Sequence, residues 1–123
     1  MAHLIDLKTS TDTRGSLTVI EKVLPFDIKR VFYIYGVGDP SLKRGGHRHN
    51  KTIQALISVA GKCSVFTNNG SIKEKFELDS PQKCLILEPQ DWHTMSGFSK
   101  DSVLLVLASE YYDRSDYISE EYK

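Results

Sequence analysis

The sequence lacks an apolar run long enough to span a membrane, and its first residues, MAHLIDLKTS, lack the apolar core of a signal peptide. These absences predict a cytoplasmic protein with no membrane partner. Cysteine is also scarce, because Cys63 and Cys84 are the only two, and they lack the C-x-x-C spacing of metal or redox sites. We therefore expect both thiols to be buried, reduced and inert.

Neither sign of charge is in excess, because 16 lysines and arginines balance 16 aspartates and glutamates. This balance argues against nucleic-acid binding, which requires a basic surplus. The charges are unevenly distributed, however, since residues 43–51 carry only cations and residues 110–123 are rich in acids. A local cationic patch in a neutral chain predicts a small anionic ligand, such as a diphosphate, whereas the acidic end is interpreted as a solvated tail. The cations of the patch are Lys43, Arg44, Arg48 and Lys51.

Helical periodicity is missing before residue 110, and the chain has no internal repeat, low-complexity tract or linker. Short segments rich in β-branched and aromatic residues, separated by turn residues, predict strands instead. We predict one all-β domain over residues 1–123, a sandwich or barrel of the jelly-roll type. Only DRSDYISEEY predicts a short C-terminal helix, with Ser115 or Asp116 as its N-cap. The predicted strands are SLTVIEKV, IKRVFYIYGV, IQALISVA, KCSVFT, IKEKFEL, KCLILE and SVLLVLAS.

Two of the four histidines, His47 and His49, are separated by a single residue. On an extended chain this spacing places both imidazoles on one face and Arg48 on the other. Gly45 and Gly46, directly before them, permit close approach to a neighbouring strand or to a ligand. The segment therefore predicts a paired set of imidazoles beside a cationic patch.

The remaining histidines differ in context, because His93 follows a proline-bounded turn and His3 is expected in a loose terminus. A single histidine is usually a structural residue with satisfied hydrogen bonds. The paired spacing together with a third histidine favours a functional site, since imidazoles exchange protons near neutrality. Gln54 lies five residues after His49, so simple alternation places it on the opposite face unless a bulge intervenes.

An H-x-H motif, a later glycine at Gly61 and a still later histidine after a proline are typical of the cupin superfamily. More specifically, motifs along almost the whole chain resemble the bacterial sugar-nucleotide 3,4-ketoisomerases. Those enzymes act on dTDP-4-keto-6-deoxyglucose in making the 3-amino sugars of surface glycans. The resemblance implies a cupin-type jelly-roll barrel and a homodimer, with exchange of the N-terminal strands as one arrangement open to it. The matching motifs are DTRGSL (12–17), PFDIKRVFYIYGV (25–37), RGGHRH (44–49), QALISVAGKCSV (54–65), LDSP (78–81), DWHTM (91–95) and LLVLASEYYDRSDYI (104–118).

The implied reaction nominates site residues, because moving a ketone from carbon 4 to carbon 3 needs a base, an acid and a stabiliser for the oxyanion. The resemblance assigns His47 and His49 as the catalytic acid–base pair, with His47 as the base at carbon 3. It gives His49 and Tyr35 the proton at carbon 4 or the oxyanion, and the order within the histidine pair stays open. Arg14 and Arg44 are the diphosphate candidates, because guanidinium groups bind phosphate oxygens bidentately. Further substrate-binding candidates are Tyr33, Gln54, Trp92 and His93.

Several of these candidates have a plain structural alternative. Strand packing would explain Tyr33 and Tyr35, surface ion pairing would explain Arg14 and Arg44, and core packing would explain Trp92. The chain also departs from the family at Asn50, where a lysine is common, which would alter how the diphosphate or a neighbouring strand is held.

Gln54 occupies the place where metal-binding cupins have a carboxylate. A neutral amide is a poor ligand for a transition metal, and the ketoisomerase family works without one, so we predict neither metal nor other cofactor. Two other functions stay open. One is a metal-dependent cupin dioxygenase that uses His47, His49 and His93. The other is a non-catalytic cupin that binds a sugar nucleotide. Neither the product configuration at carbon 4 nor the identity of the nucleotide follows from the sequence.

Overall fold

The computed structural model describes all residues, Met1–Lys123. Apart from a single 3₁₀ turn at Arg114–Asp116, its regular elements are all strands, which confirms the all-β prediction. The strands are β1 (His3–Asp6), β2 (Lys8–Asp12), β3 (Gly15–Val19), β4 (Arg30–Tyr35), β5 (Arg44–His49), β6 (Gln54–Ala60), β7 (Cys63–Asn68), β8 (Lys73–Leu78), β9 (Lys83–Leu87), β10 (Trp92–Ser96), β11 (Val103–Ala108) and β12 (Tyr117–Ile118).

Two five-stranded antiparallel sheets form the body of the molecule. The first has the order β1-β9-β6-β11-β4, and the second has the order β12-β5-β10-β7-β8. Strands β2 and β3 form a separate hairpin. Apolar side chains from the facing sides of both sheets make one core, in which Leu56, Leu85 and Leu104 of the first sheet meet Val65 and Leu78 of the second. The sheets are open at their edges rather than closed into a barrel.

A second apolar cluster covers the outer side of the first sheet. Ala55, Ile57 and Ile86 pack there with Leu7 and with half-buried side chains of the segment between β3 and β4. Strands β6 and β9 are therefore buried on both sides, as their nearly continuous apolar runs require. Strand β1 pairs with β9, so the prediction that His3 lies in a loose terminus is wrong.

The predicted C-terminal helix is also wrong, because its segment forms only the 3₁₀ turn. The cap is Asp113, whose carboxylate accepts from the Ser115 backbone N–H at 3.0 Å. Asp116 is buried instead, and its carboxylate accepts from the Lys51 backbone N–H at 2.9 Å and from the Thr52 hydroxyl. These bonds turn the chain back, so Tyr117–Ile118 adds to the edge of β5 as β12.

Both cysteines are buried and unpaired, as predicted. Burial raises the pKa of the Cys84 thiol to about 11, which keeps it protonated and unreactive near neutrality. No helix of the chain is both long enough and apolar enough to cross a membrane.

Candidate active site

Three histidines come together on the inner side of the second sheet. His47 and His93 are partners across β5 and β10, with ring centroids 4.9 Å apart. The His49 ring lies 5.0 Å from that of His47 and 6.3 Å from that of His93. Gly45 allows β5 to approach β10 closely, because a Cβ atom at this position would lie only 3.0 Å from the His93 carbonyl oxygen. Its φ of +84° is also a conformation that favours glycine.

The cluster borders a cavity of about 130 Å³ between the two sheets. His47 and His93 reach the cavity wall, whereas His49 does not line the cavity and is almost fully buried. The polar lining residues are Arg30, Arg44, His47, Gln54, His93 and Tyr117, and the apolar ones are Phe32, Ile34, Leu56, Met95 and Val106. The cavity therefore joins two cations to a group of imidazoles within mainly apolar walls, which suits an anionic substrate with a reactive carbonyl.

Burial keeps the histidines neutral. It lowers the pKa of His93 to about 3 and that of His49 to about 4, where His47 and Arg30 add to the effect and Asp116 opposes it. The pKa of His47 is also lowered, again mainly by burial. Neutral imidazoles can accept a proton, so the cluster supplies bases at neutral pH.

A hydrogen bond to the backbone fixes the tautomer of the His93 ring, whereas the His49 ring has a nitrogen without a hydrogen-bond partner. The Asp91 carbonyl lies 3.1 Å from His93 Nδ1 and can only accept, so the neutral ring carries its proton on Nδ1 and its Nε2 is an acceptor. His49 Nε2 is buried and has no protein partner. Both rings therefore retain a nitrogen that the fold does not use.

The depressed pKa values predict that stability falls in acid. The unfolded chain binds more protons than the folded chain between the ordinary histidine pKa of 6.5 and the folded values of about 4 and 3. The free energy of unfolding should decrease as the pH is lowered through that window. Urea denaturation at pH 7 and at pH 5 measures the decrease. A His93→Gln variant should show a shallower dependence, and an unchanged slope would contradict this assignment.

Gln54 faces the same cavity as the histidines, so the prediction from simple alternation is wrong. The reason is that β5 ends at His49 and the chain turns before β6, which belongs to the opposite sheet. No group of three or more His, Cys, Asp or Glu side chains is arranged to hold a metal ion. The absence of a metal cofactor stays a prediction.

Tyr33 and Tyr35 point away from the cavity. Strand β4 alternates, so Arg30, Phe32 and Ile34 face inward, while the two tyrosines are 61% and 68% exposed. Their rings stack on each other with centroids 5.7 Å apart. The position of Tyr35 does not fit its predicted role as a donor beside these histidines, and Tyr33 does not line the cavity.

Trp92 also lies on the outer side, where it holds the C-terminal tail. Its Nε1–H donates to the Ser119 carbonyl at 3.0 Å. Arg48 stacks over the Tyr122 ring at 4.4 Å, and the Tyr122 hydroxyl donates to the Gln90 carbonyl at 2.8 Å. The expectation that Arg48 faces away from the cavity is confirmed, whereas Trp92 binds the tail and is absent from the cavity wall.

The two arginines predicted for a diphosphate occupy different places. Arg44 is exposed and lines the cavity. Arg14 lies between β2 and β3, where its side chain is 88% exposed and forms an ion pair of 2.6 Å with Asp12. The side chain of Asn50 donates to the Ser115 carbonyl at 3.4 Å and so helps to hold the C-terminal segment.

The sequence did not predict two of the polar cavity residues, Arg30 and Tyr117. The Tyr117 ring lies 4.7 Å from the His47 ring and 4.6 Å from the His49 ring. Its hydroxyl accepts a hydrogen bond of 3.3 Å from Arg30 Nη1. The sequence predicts a helix over residues 117–118, whereas they form a strand that pairs Tyr117 with His49.

Comparison with known proteins gives consistent results. The family model described as WxcM-like, C-terminal (FdtA) matches residues 1–123. A relative from Aneurinibacillus thermoaerophilus, TDP-4-oxo-6-deoxy-alpha-D-glucose-3,4-oxoisomerase, is 45% identical over 117 residues, which cover 94% of this chain and 84% of the relative.

Solved structures show the same likeness. A 3,4-ketoisomerase from Helicobacter canadensis is 36% identical with a TM-score of 0.92, covering 97% of this chain and 90% of its own. A variant of the QdtA 3,4-ketoisomerase from Thermoanaerobacterium thermosaccharolyticum, in complex with TDP-4-keto-6-deoxyglucose, is 42% identical with a TM-score of 0.92. The alignment covers 97% of this chain and 87% of that one.

Proposed function

The chain belongs to the WxcM-like (FdtA) family of cupin sugar ketoisomerases, and on that basis we infer that it is a sugar-nucleotide 3,4-ketoisomerase. Its reaction converts dTDP-4-keto-6-deoxyglucose to a dTDP-3-keto-6-deoxyhexose. The observation that carries this inference is the group of neutral histidines on the wall of a cavity that also holds Arg30 and Arg44.

We propose that His47 is the base at carbon 3. It reaches the cavity wall and is held neutral by burial, so it can take the proton next to the ketone. The enediol that forms across carbons 3 and 4 then receives a proton at carbon 4. His49 lies 5.0 Å from His47, ring centroid to ring centroid, and forms the second member of the pair. Gln54 and His93 hold the hexose from the opposite walls.

The test is direct. The protein is incubated with dTDP-4-keto-6-deoxyglucose, and NMR identifies the product. Appearance of the 3-keto sugar, undiminished after exhaustive chelation, supports the proposal. An unchanged sugar that nevertheless binds would support the non-catalytic cupin, and turnover that returns only with one metal would support the metal-dependent cupin.

Arg44 is proposed to bind the diphosphate. Its Ala variant should weaken dTDP binding more than it slows the bound step, because a charge-assisted hydrogen bond to phosphate is lost while the histidines stay in place. Titration calorimetry measures the Kd, and single-turnover kinetics measure the bound step. Lys43→Ala is the matched control, since Lys43 is an exposed neighbouring cation that does not line the cavity. Equal losses in both variants would indicate a general charge effect.

We further propose a homodimer in which the β2–β3 hairpin reaches the partner subunit. A two-stranded hairpin is only marginally stable alone, and this one pairs with no other strand. Exchange would carry Arg14 toward the partner's cavity, which accounts for its distance from the chain's own site. The exposed Leu17 would be covered at the same time. A monomer mass by light scattering at micromolar concentration would refute this proposal.

The proposed reaction also suggests where the protein acts and how its product is used. We propose that residues 1–123 act as one cupin domain in the cytoplasm, where sugar nucleotides are made. Its product would serve the synthesis of amino sugars for surface glycans such as O-antigen. Neither nucleic acid nor membrane is needed as a partner.

A further inference from the structure

We propose that Tyr117 is a catalytic residue, whose hydroxyl donates a proton to the ketone oxygen of the substrate and later takes one back from the neighbouring hydroxyl. The proposal rests on the proposed function. Among the residues that line the cavity, Tyr117 carries the only hydroxyl group. The tyrosines of β4 face the opposite side of their sheet.

Arg30 fixes the direction of the Tyr117 proton. A guanidinium group has donors and no acceptor, so in the 3.3 Å contact between Arg30 Nη1 and the hydroxyl the oxygen must accept. The phenolic proton therefore remains free for another acceptor. Arg30 and Tyr117 both line the cavity, so a substrate oxygen bound there can be that acceptor. The guanidinium would also stabilise the phenolate that forms when the proton leaves.

Tyr117 is also correctly placed with respect to the proposed bases. Its ring packs against the rings of His47 and His49, with centroids 4.7 and 4.6 Å away. The pairing of β12 with β5 sets Tyr117 opposite His49 and fixes this arrangement through the backbone. A sugar whose carbon 3 meets His47 would therefore have its reacting oxygens near the Tyr117 hydroxyl.

The proton transfers balance without any co-reactant. His47 takes the proton from carbon 3 while Tyr117 gives its proton to the oxygen at carbon 4, and the carbon–oxygen double bond becomes the enediol. The phenolate then takes the proton from the oxygen at carbon 3, and protonated His47 gives its proton up to carbon 4, either directly or by relay through His49. The product is the 3-ketone, with the tyrosine protonated and the histidines neutral again.

The test compares Tyr117→Phe with Tyr111→Phe. The first variant keeps the ring that packs on the histidines and removes only the hydroxyl, so kcat should fall on the order of 10²–10³-fold, the usual effect of losing one oxyanion donor. Binding of dTDP should change little. Tyr111→Phe should turn over like the parent, because Tyr111 is an exposed tyrosine that does not line the cavity. The reverse ranking would overturn the proposal, as would a Tyr117→Phe variant with near-parental kcat.

A second measurement tests the proposal even if the Tyr117→Phe variant fails to fold. Replacing Tyr117 by 3-fluorotyrosine keeps both ring and hydroxyl and makes the phenol more acidic. The alkaline side of the pH–rate profile should then move to lower pH, and an unmoved profile would contradict the proposal. Failure of the parent protein to convert the sugar would instead refute the proposed function itself, so the two failures are distinguishable.

Discussion

Replacing His47 by Asn is expected to lower kcat by about 10²–10⁴-fold, the usual loss when general acid–base catalysis is removed. Asparagine keeps the approximate size and some hydrogen bonding but cannot take a proton. The same change at His49 should also cause a large loss, because His49 is the buried partner of His47. Binding of dTDP should change little in either variant, since the proposed diphosphate ligand is Arg44. Steady-state kinetics and calorimetry measure the two effects.

His3→Asn is the matched control. His3 is an exposed histidine on β1 that does not line the cavity, and its Nδ1 lies 3.0 Å from the Met1 carbonyl oxygen. It should turn over like the parent. If both cavity variants also kept near-parental turnover, the histidines would not be the proton-transfer pair. A sugar-nucleotide-binding role would then be the better account.

Asp116→Ala is expected to have the largest effect on stability. Two donors, the Lys51 backbone N–H and the Thr52 hydroxyl, would lose their acceptor at a buried position. An unsatisfied buried donor costs about 1–3 kcal/mol, so the free energy of unfolding should fall by roughly 2–4 kcal/mol. Urea denaturation measures this loss. The following residue, Tyr117, would lose its anchor, so kcat should fall as well.

The control for this change is Asp113→Ala. Asp113 is exposed and caps the 3₁₀ turn through Ser115, so its loss should cost about 1 kcal/mol, as capping residues usually do. Similar costs for the two variants would show that Asp116 merely caps the turn. A destabilised Asp116 variant with parental kcat would show that the Asp116 anchor is not needed to place Tyr117.

The apolar strands could be predicted because burial on both sides requires a nearly continuous run of apolar residues, which is visible in the local sequence. Strands β1, β2, β5, β10 and β12 could not, because these short segments lack a long apolar run and owe their place to backbone pairing with a neighbouring strand. Apart from β2, whose partner β3 follows directly, these strands pair with partners far away along the chain, which leave little trace in local composition. This is why the local pattern around Tyr117 predicts a helix instead of a strand.

The site shows a similar division. Alternation correctly predicted that His47 and His49 share a face and that Tyr33 and Tyr35 share one. It could not predict which face is inside, because that depends on which sheet lies opposite. The histidines face the cavity, and the tyrosines face outward.

Trp92, on β10, also shows that the sequence does not reveal which face of a strand lines the cavity. It stands beside His93 in the sequence, yet successive residues of β10 point to opposite sides, so only His93 lines the cavity. Motif resemblance located the segment without resolving this alternation. The bond from Trp92 to the tail at Ser119 depends on the path of the last residues, which no local pattern specifies.

The central claim is that the histidines move protons between carbons 3 and 4 of a dTDP-linked hexose. Conversion of dTDP-4-keto-6-deoxyglucose in deuterated water, followed by NMR, tests it most directly. The parent protein should yield the 3-keto sugar with solvent deuterium at carbon 4, and the His47→Asn variant should yield almost none. A parent that leaves the sugar unchanged and unlabelled, or a His47→Asn variant that labels it at the parental rate, would contradict the claim.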